Sequence, residues 1–217
     1  MKDLTSDRPK VMLEIDKKPI LEKIIKGLKD NGIEEIILVV NYKKEKIIDY
    51  FGDGSDLGVK IKYAVQKEPL GTADALRYVE SHIDEDYFLL IYGDQLFDFN
   101  IISELKNCSR PMICITKVKN PEEFGIIEIK NDKVIKILEK VKNPSSNLIN
   151  TGIYILPKKI FKEIKNTKKS KRGEYELTDS IQSLMNKGMS FGYLKIENWL
   201  SIGTKEDYLN LINHLSQ

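Results

Sequence analysis

Hydrophobic and polar positions follow two alternating patterns along the first hundred residues. Short apolar runs bounded by turn residues predict strands at 11–15, 36–40, 60–65 and 87–92. Apolar residues spaced three and four apart predict helices from Pro19 to about Gly32, up to Phe51, and from Thr72 to Ser81. Strands that alternate with helices predict βαβ units, and therefore an α/β fold with a mostly parallel sheet and helices on both faces.

A second pattern begins after Asn100 and predicts an antiparallel part. The segment 124–140 has two runs of alternating hydrophobicity around Asn131-Asp132, which is the turn chemistry of a β-hairpin. Further strands are predicted at 112–118, 147–156 and 190–196, with helices up to Lys106, in two segments after residue 156, and from Lys205 onward. No repeat, low-complexity tract or long linker interrupts the sequence, so we expect one domain over residues 1–217.

Charge is balanced and dispersed along the chain. The 35 Lys and Arg residues nearly cancel the 33 Asp and Glu residues, which argues against a nucleic-acid or membrane partner. The basic run at 168–172 is interpreted as a solvated loop tip. No apolar run approaches the ~20 residues that cross a bilayer, and the N-terminal residues lack the apolar region of a secretory signal. We therefore expect a cytoplasmic protein in which Cys108 and Cys114 are idle thiols.

The segment Gln66–Ala73, QKEPLGTA, joins a predicted strand to a predicted helix. Pro69 stiffens this loop, Gly71 allows a flat ring to approach the backbone, and Thr72 can cap the helix that follows. These features suit a nucleobase site. An ordinary strand-to-helix turn explains them equally well, so the residues alone leave both interpretations open.

Two charged residues are candidates for metal or phosphate chemistry. Asp94 follows Gly93 directly after the strand predicted at 87–92, and ligands of open α/β sheets lie at the carboxyl ends of strands. A carboxylate there can hold Mg²⁺, which prefers one or two carboxylates together with phosphate oxygens and water. The alternative is a turn aspartate that satisfies local amides. Lys10 is a compact cation before the first apolar run, where a solvated surface lysine is the simplest interpretation.

Several short motifs occur in a fixed order: Arg8-Pro9-Lys10, Met12-Leu13, Gln66–Ala73, Gly93-Asp94 and Trp199–Thr204. Together they resemble the sugar-phosphate nucleotidyltransferase family, whose members share R-P-K-x-M-L, Q-x-x-P-L-G-T-A, a G-D after a central strand, and W-x-[DS]-I-G-T. The resemblance spans nearly the whole chain. It implies a Rossmann-like nucleotidyltransferase sheet, with a nucleotide-binding half at about 1–110 and a sugar-phosphate-binding half at about 111–217.

The resemblance also implies roles on the nucleotide side. The implied nucleotide-binding set is Gln66, Pro69, Leu70, Gly71, Thr72 and Gly93. Within it, Gln66 and Gly71 would contact the base. Lys10 would reach the phosphates as a point charge and act in catalysis with Asp94, which would also hold Mg²⁺.

The sugar side is implied by a second group of matching positions. The implied sugar-phosphate-binding set is Gly125, Glu139, Lys140, Asn150, Thr151, Gly152 and Tyr175. Glycines admit a sugar ring, the carboxylate and the amide bind hydroxyls, and Lys140 pairs with the sugar phosphate. Val141 stands where family members usually have proline. Asp179 is expected at the start of a helix.

Two departures from the family pattern bear on activity. Ser201 stands where relatives usually have an aspartate that is the second Mg²⁺ ligand, so we expect a metal site weaker by on the order of 10- to 100-fold. The family pattern also includes an apolar strand and a glycine-rich G-x-G-x-R-x-x-P-x-T loop. This sequence matches that pattern only from Leu4-Thr5 onward. We expect a sheet without its first strand, impaired activity, and a native product that begins upstream of Met1.

The resemblance implies transfer of a nucleoside monophosphate from a nucleoside triphosphate to a hexose-1-phosphate, giving a nucleotide-sugar and pyrophosphate. Gln66 favours UTP or dTTP. A non-catalytic sugar-nucleotide-binding or regulatory homologue is the alternative, and a glycosyltransferase is disfavoured because Asp94 is followed by Gln95-Leu96 rather than by the rest of a D-x-D motif. The sequence leaves open which sugar and base are used and whether the protein is a homo-oligomer.

Overall fold

A computed structural model of the chain describes residues 2–144 and 146–215, so that Met1, Ser145, Ser216 and Gln217 lie outside the description. The strands are β1 (Glu14–Ile15), β2 (Lys18–Pro19), β3 (Glu35–Val40), β4 (Lys60–Val65), β5 (Tyr87–Ile91), β6 (Gln95–Leu96), β7 (Met112–Lys117), β8 (Gly125–Lys130), β9 (Lys133–Glu139), β10 (Leu148–Pro157), β11 (Gly192–Lys195) and β12 (Leu200–Ser201). The helices are α1 (Lys2–Thr5), α2 (Ile20–Asp30), α3 (Lys44–Phe51), α4 (Thr72–Arg77), α5 (Ile101–Lys106), α6 (Ile160–Asn166), α7 (Leu177–Asn186) and α8 (Lys205–Leu215).

The contacts divide the chain into two compact units. The first contains the residues up to Val65, Tyr92–Ser103 and the residues from Asn198 onward. The second contains Gln66–Ile91 and Glu104–Glu197. Each unit is therefore assembled from separate stretches of chain, whereas the sequence interpretation placed two successive halves on either side of residue 110. The expectation of a single domain over residues 1–217 stays a prediction.

The second unit is built on a mixed six-stranded sheet in the order β11-β7-β10-β8-β9, with β5 also pairing with β10. Strand β10 is its centre because nine of its ten residues are buried, as expected for a strand covered on both faces. It runs antiparallel to β5, β7 and β8, while β7 and β11 run parallel. Tyr154 of β10 is fully buried opposite Leu90 and Ile113.

The first unit contains the parallel pair β3–β4 and two short antiparallel pairs, β1–β2 and β6–β12. Helix α2 begins after Pro19, whose fixed φ suits the entry to a helix. Its apolar residues all lie on one buried face: Ile20, Leu21, Ile24, Ile25 and Leu28. This spacing of three and four residues is the helical pattern found in the sequence, and it anchors α2 in the core.

The structure confirms the α/β class and the antiparallel hairpin. In the hairpin, β8 and β9 meet at Asn131 and Asp132, which have φ values of 50° and 55°, as the tight turn requires. The strand expected at 11–15 was wrong for most of its length: a 3-10 turn spans Lys10–Met12, and only Glu14–Ile15 is extended. Asp16 and Lys17, both with positive φ, then reverse the chain.

One helix prediction needs a smaller correction. The helix expected from Thr72 to Ser81 ends at Arg77, and a separate 3-10 turn covers Glu80–His82. The closing helix begins at Lys205 as expected.

No helix in the described ranges combines the length and the apolarity that crossing a membrane requires.

Candidate functional site

Lys10 and Asp94 form an ion pair in the first unit, with Lys10 Nζ 2.5 Å from Asp94 Oδ2. They are 84 positions apart in sequence, and each side chain remains about one-third exposed, at 31% and 34%. The 3-10 turn at Lys10–Met12 presents the lysine, and Asp94 precedes β6. The structure thus brings together the two residues predicted to be catalytic, at a position that solvent reaches.

The Trp199–Thr204 stretch returns to the neighbourhood of Asp94. Strand β12 pairs with β6 so that Ser201 lies opposite Gln95, and the backbone N–H of Ile202 donates to the Asp94 carbonyl at 2.8 Å. The Trp199 indole N–H donates to the Gln95 side-chain carbonyl. Ser201, expected from the sequence to replace a metal-binding aspartate, therefore occupies the strand position beside Asp94.

Gly93 precedes Asp94 in a tight part of the first unit. A Cβ atom built on Gly93 would lie 3.3 Å from Val11 Cγ1, closer than side-chain carbons usually pack. Its predicted role in nucleotide binding stays a prediction.

In the second unit, the Leu70–Ala73 segment is bound to the backbone around Tyr175. The Tyr175 N–H donates to the Leu70 carbonyl at 2.8 Å, and the Ala73 N–H donates to the Tyr175 carbonyl at 2.9 Å. Gly71, at φ +114°, is required by this contact because a Cβ there would lie 2.6 Å from the Tyr175 carbonyl oxygen. The absence of a side chain at Gly71 thus serves backbone packing, a cause that the local sequence could not show.

Thr72 was expected to cap its own helix, and this prediction was wrong. Gly71 occupies the N-cap of α4 and no side chain caps it. The Thr72 hydroxyl oxygen instead accepts the N–H of Leu177, the first residue of α7, at 3.0 Å. It thereby satisfies one of the N–H groups that a helix start leaves without an intrahelical partner.

Gln66 is buried beside this segment and is held by Asp74. The Gln66 side-chain N–H₂ donates to Asp74 Oδ2 at 2.9 Å and to the Gly71 carbonyl at 3.4 Å. Arg77 Nη1 lies 3.7 Å from Asp74 Oδ1, and its guanidinium is stacked over the Tyr175 ring, 4.7 Å from the ring centroid. Pro69 is exposed at the outer end of the loop.

Glu139, at the end of β9, is the centre of the predicted sugar side. Its Oε2 accepts the Thr178 hydroxyl at 3.2 Å, and Arg172 Nη1 lies 3.7 Å from its Oε1. Burial, followed by the nearby negative charge of Glu176, raises the pKa of the Glu139 carboxyl above its ordinary value. Gly125 is opposite Glu139 in the hairpin, and a Cβ there would lie 3.2 Å from Glu139 Oε2.

Asn150, Thr151 and Gly152 form an irregular point in β10. The register against β7 shifts between Asn150 and Tyr154, and Gly152 has a φ of 80°. Asn150 donates to the Tyr154 hydroxyl and accepts the Gly152 N–H at 3.0 Å, so its amide is fixed from both sides. The Thr151 hydroxyl donates to the Cys114 carbonyl at 2.8 Å. Asn150 lies beside Gly125, whereas Thr151 is directed to the neighbouring strand β7.

Lys140 follows β9 with a φ of 43°, and its N–H donates to the Phe124 carbonyl at 3.2 Å. This bond closes the open end of the hairpin next to Glu139. Asp179 lies in the first turn of α7, as expected, and burial raises the pKa of its carboxyl. The predicted sugar contacts of Lys140 and Tyr175 stay predictions.

The sequence interpretation missed Arg172, Asp74 and Arg77. Arg172 was included in a run interpreted as a solvated loop tip, yet its guanidinium lies within 3.7 Å of Glu139, Glu174 and Glu176. The four-residue spacing of Arg172 and Glu176 was no signal, because both residues precede α7 and this spacing brings side chains together only on a helix. A buried role for Asp74 could have been suspected, because its carboxylate interrupts the apolar face of a short helix. Its pairing with Gln66 depends on the fold and could not be predicted from the sequence.

The described residues contain no group of three or more His, Cys, Asp or Glu side chains arranged to hold a metal ion. Asp94 is a single carboxylate with a cation at one oxygen. Asp94 could therefore hold Mg²⁺ only if phosphate oxygens and water supply the other ligands. Mg²⁺ commonly binds in this way.

Comparison with known proteins decides the family. The family model described as "Nucleotidyl transferase" matches residues 1–217. The chain belongs to this nucleotidyl transferase family. The resemblance drawn from the sequence motifs is therefore confirmed.

Curated relatives of this nucleotidyl transferase chain include long and short proteins. It is 42% identical over 214 residues to a bifunctional protein GlmU from Methanococcus maripaludis, a match that covers 97% of this chain and 50% of that protein. It is 38% identical to the UTP–glucose-1-phosphate uridylyltransferase AglF from Haloferax volcanii, covering 95% of this chain and 88% of that protein. The chain thus spans about half the length of the GlmU relatives that it matches.

Solved structures share the fold of this nucleotidyl transferase. A structure described as a glucose-1-phosphate thymidylyltransferase from Bacillus anthracis superimposes with a TM-score of 0.88 at 30% identity, covering 100% of this chain and 89% of that one. UDP-glucose pyrophosphorylase complexed with UDP-glucose gives a TM-score of 0.84 at 22% identity, covering 98% and 92% of the two chains. The second likeness shows the fold alone.

Proposed function

We propose that the protein transfers a nucleoside monophosphate from a nucleoside triphosphate, with UTP or dTTP favoured, to a hexose-1-phosphate, giving a nucleotide-sugar and pyrophosphate. The observation that carries this proposal is the pair of backbone bonds between the Leu70–Ala73 segment and Tyr175, at 2.8 and 2.9 Å. The first segment is assigned to the base and Tyr175 to the sugar. Their direct contact supports adjoining base and sugar sites, as a nucleotide-sugar product needs.

The reaction requires positioning and charge neutralisation more than proton transfer. A sugar phosphate has a second pKa near 6, so it is largely dianionic at neutral pH and needs no general base. One of its oxygens attacks the α-phosphorus of the triphosphate. The bond from that phosphorus to the oxygen bridging to the β-phosphate breaks, and pyrophosphate leaves with the electron pair.

Lys10 and Asp94 are assigned to the phosphate end of this reaction. Asp94 would hold Mg²⁺, which supplies neutralisation of the developing charge on the phosphate oxygens when it is bound. Lys10 adds a positive point charge, which can interact with phosphate oxygens as well as with the Asp94 carboxylate. Ser201 contributes no negative charge beside Asp94, so we propose weak metal binding.

On the sugar side, Glu139 and Asn150 are assigned to hydroxyl groups and Lys140 to the sugar phosphate. Gly125 lies against both Glu139 and Asn150, and the absence of a side chain there supports the approach of a sugar ring. Gly152 permits the bend of β10 that fixes the Asn150 amide. Since nucleoside triphosphates and sugar phosphates are cytoplasmic metabolites, we propose the cytoplasm as the compartment.

The test is pyrophosphate release with a panel of triphosphates and sugar-1-phosphates, with and without Mg²⁺. The 217-residue chain is assayed with every pair of substrates. Turnover with a uracil or thymine nucleotide and one hexose-1-phosphate is expected. Absence of turnover with every pair would reject the proposal.

A second candidate is a non-catalytic sugar-nucleotide-binding homologue. Ser201 on the strand beside Asp94 favours it, because a second carboxylate is missing where metal chemistry would need it. This candidate predicts that UDP-glucose binds measurably while no pyrophosphate is released. Titration calorimetry with UDP-glucose, run beside the turnover assay, separates the two functions.

A further inference from the structure

Two tyrosine hydroxyl groups hold the segment that carries Lys10, one on each side of the lysine. The Tyr208 hydroxyl donates to the Glu14 carbonyl at 2.6 Å, four residues after Lys10. The Tyr42 hydroxyl donates to the Ser6 carbonyl at 2.8 Å, four residues before Lys10. Both acceptors are main-chain oxygens, so the two bonds fix the backbone of the segment. Neither tyrosine belongs to a motif recognised in the sequence.

These bonds matter because the segment around Lys10 has little regular structure. Between helix α1 and strand β1, residues 6–13 contain one 3-10 turn, at Lys10–Met12, and β1 pairs with β2 at two positions. Met12, Leu13 and Ile15 are buried and fix the apolar side of the segment. The polar side, where Lys10 is about one-third exposed, depends on hydrogen bonds to the carbonyl groups of the chain.

Tyr208 belongs to α8, and the start of α8 is tied to Asp94. The Ile202 N–H donates to the Asp94 carbonyl at 2.8 Å, two residues before Thr204. The Thr204 N–H then donates to Asp207 Oδ2 at 2.7 Å, and the Asp207 N–H donates to the Thr204 hydroxyl at 3.1 Å. Such a reciprocal pair is a capping box, which fixes where a helix begins. Because Tyr208 follows Asp207 directly, the same pair sets the direction of the Tyr208 side chain.

The contacts thus form a path between the two charged residues, from Asp94 through the start of α8 to Tyr208 and on to the Lys10 segment. We infer that Tyr208 and Tyr42 are positioning residues that hold the Lys10 ammonium at the Asp94 carboxylate. Tyr208 contributes more, because its helix is tied to Asp94 and because Tyr42 is 53% exposed. This inference rests on the proposed function, in which Lys10 and Asp94 act together at the phosphates.

A general structural role is the alternative for Tyr208, because a hydrogen bond between α8 and the N-terminal segment also stabilises the fold. A structural role predicts that Tyr208→Phe weakens stability and ligand binding whether or not Lys10 is present. A positioning role predicts that the effect on binding disappears once Lys10 is removed. A double-mutant cycle distinguishes these two outcomes.

The first experiment needs no ligand. The side-chain ammonium of Lys10 is observed by NMR in protein labelled with ¹⁵N-lysine, at low temperature and slightly acidic pH, and is assigned by its absence from Lys10→Met. We expect a resolved signal in the wild type, since the carboxylate retains the ammonium hydrogens. Tyr208→Phe should shift or broaden this signal.

Tyr50→Phe is the matched control for the NMR experiment. The Tyr50 hydroxyl also donates at 2.6 Å in the first unit, but to the Glu22 carboxylate, so its loss should leave the Lys10 signal unchanged. Absence of a Lys10 signal from the wild type, or the same signal in wild type and folded Tyr208→Phe, would overturn the inference.

The second experiment is the double-mutant cycle, with UTP affinity measured by titration calorimetry in the presence of Mg²⁺. We expect Tyr208→Phe to weaken UTP binding about fivefold when Lys10 is present. In the Lys10→Met background the same substitution should change the affinity by less than about 1.5-fold. Tyr42→Phe should behave alike, with a smaller loss. Equal weakening in both backgrounds would contradict a positioning role.

The two experiments separate this inference from the proposed function. If UTP binds without pyrophosphate release, the proposed function fails and the cycle still tests the inference. If pyrophosphate is released and Tyr208→Phe changes neither the Lys10 signal nor UTP binding, the function stands and the inference fails. If UTP does not bind, the Lys10 signal decides alone. Should Tyr208→Phe not fold, an unchanged Lys10 signal in Tyr42→Phe would overturn the inference.

Discussion

Gly71 lies so close to the backbone of Tyr175 that a Cβ atom on Gly71 would be 2.6 Å from the Tyr175 carbonyl oxygen and 2.7 Å from its nitrogen. The φ of Gly71, +114°, with a ψ of 175°, belongs to a region that only glycine adopts readily. Both constraints act at once, and both concern the backbone rather than a side chain that could move aside.

We expect Gly71→Ala to lower the free energy of unfolding by about 3 kcal/mol, because the added carbon strains the backbone and separates two hydrogen-bonded segments. Urea unfolding at neutral pH measures this loss. Gly173→Ala is the matched control in the same region: its φ is +81°, but nothing lies within 4 Å of the added carbon. That variant should lose only about 1 kcal/mol. Equal losses in the two variants would refute the packing explanation.

Glu139→Gln should stabilise the protein at neutral pH while weakening sugar-phosphate binding. Burial raises the pKa of Glu139, so folding takes up a proton in the window above the ordinary value of 4.5. The free energy of unfolding of the wild type therefore falls as the pH rises through that window, and the glutamine variant lacks this fall. Melting temperatures measured from pH 4 to pH 7 test the sign.

For the same variant, loss of a charge-assisted hydrogen bond to a sugar hydroxyl should weaken hexose-1-phosphate binding about tenfold. Calorimetric titration measures it. Glu128→Gln, in the same hairpin but opposite Lys136 rather than at the Gly125–Glu139 end, removes an equal charge and should leave the binding and the pH dependence of stability unchanged. If the Glu139→Gln protein is less stable than the wild type at pH 7, the buried charge stabilises the fold and the prediction is wrong.

The ion pair of Lys187 with Glu163 joins α7 to α6, with distances of 2.8 and 2.7 Å to the two carboxylate oxygens. Lys187, together with the Ser183 hydroxyl, lowers the pKa of Glu163. A lowered pKa contributes stability above the ordinary value of 4.5, and this contribution is lost as the pH falls through the folded-state value. Lys187→Met should therefore cost about 1–2 kcal/mol at pH 7, and less in acid.

Urea unfolding at pH 7 and pH 3 checks the prediction, with Lys159→Met as the control, since Lys159 is an exposed lysine at the start of α6. A loss that is the same at both pH values would mean that the lysine acts through packing rather than through its charge.

Ser201→Asp should strengthen metal binding beside Asp94. The substitution places a second carboxylate on the strand that pairs with the residue following Asp94, and Mg²⁺ accepts two carboxylates. We expect the affinity for Mg²⁺ to rise by on the order of 10- to 100-fold, measured by calorimetry without substrates. Leu200→Asp adds the same charge on the opposite face of the strand, where Leu200 is 43% exposed, and should have no such effect. An equal gain from both would indicate a general effect of charge.

Local signals predicted the elements that depend on local chemistry. The hairpin was predictable because Asn131 and Asp132 both tolerate positive φ. The strand expected at 11–15 was wrong for most of its length because four apolar residues in a run of five carry no clear period, and the reversal at Asp16-Lys17 ends the strand after Ile15. The contacts of the Leu70–Ala73 segment could not be predicted, although the segment was recognised as a motif. Gly71 and Thr72 contact Tyr175 and Leu177, which lie about a hundred positions further along the chain.

The sequence also predicted part of the candidate site. Lys10 and Asp94 were both named from the sequence, and the fold joins them across 84 positions. Arg172 was missed because a basic run is normally solvated, and only the return of the chain past Glu139 gives its guanidinium three carboxylate neighbours.

The Thr72 hydroxyl that accepts the Leu177 N–H also has a consequence for folding kinetics. The contact closes a loop of 105 positions, and the entropy of that closure must be lost before the bond contributes anything. Helix α7 therefore lacks one of its end contacts until a distant part of the chain arrives. We expect the amide of Leu177 to gain protection from hydrogen exchange late in refolding, together with Ala73 and Tyr175, as one non-local step on the folding route.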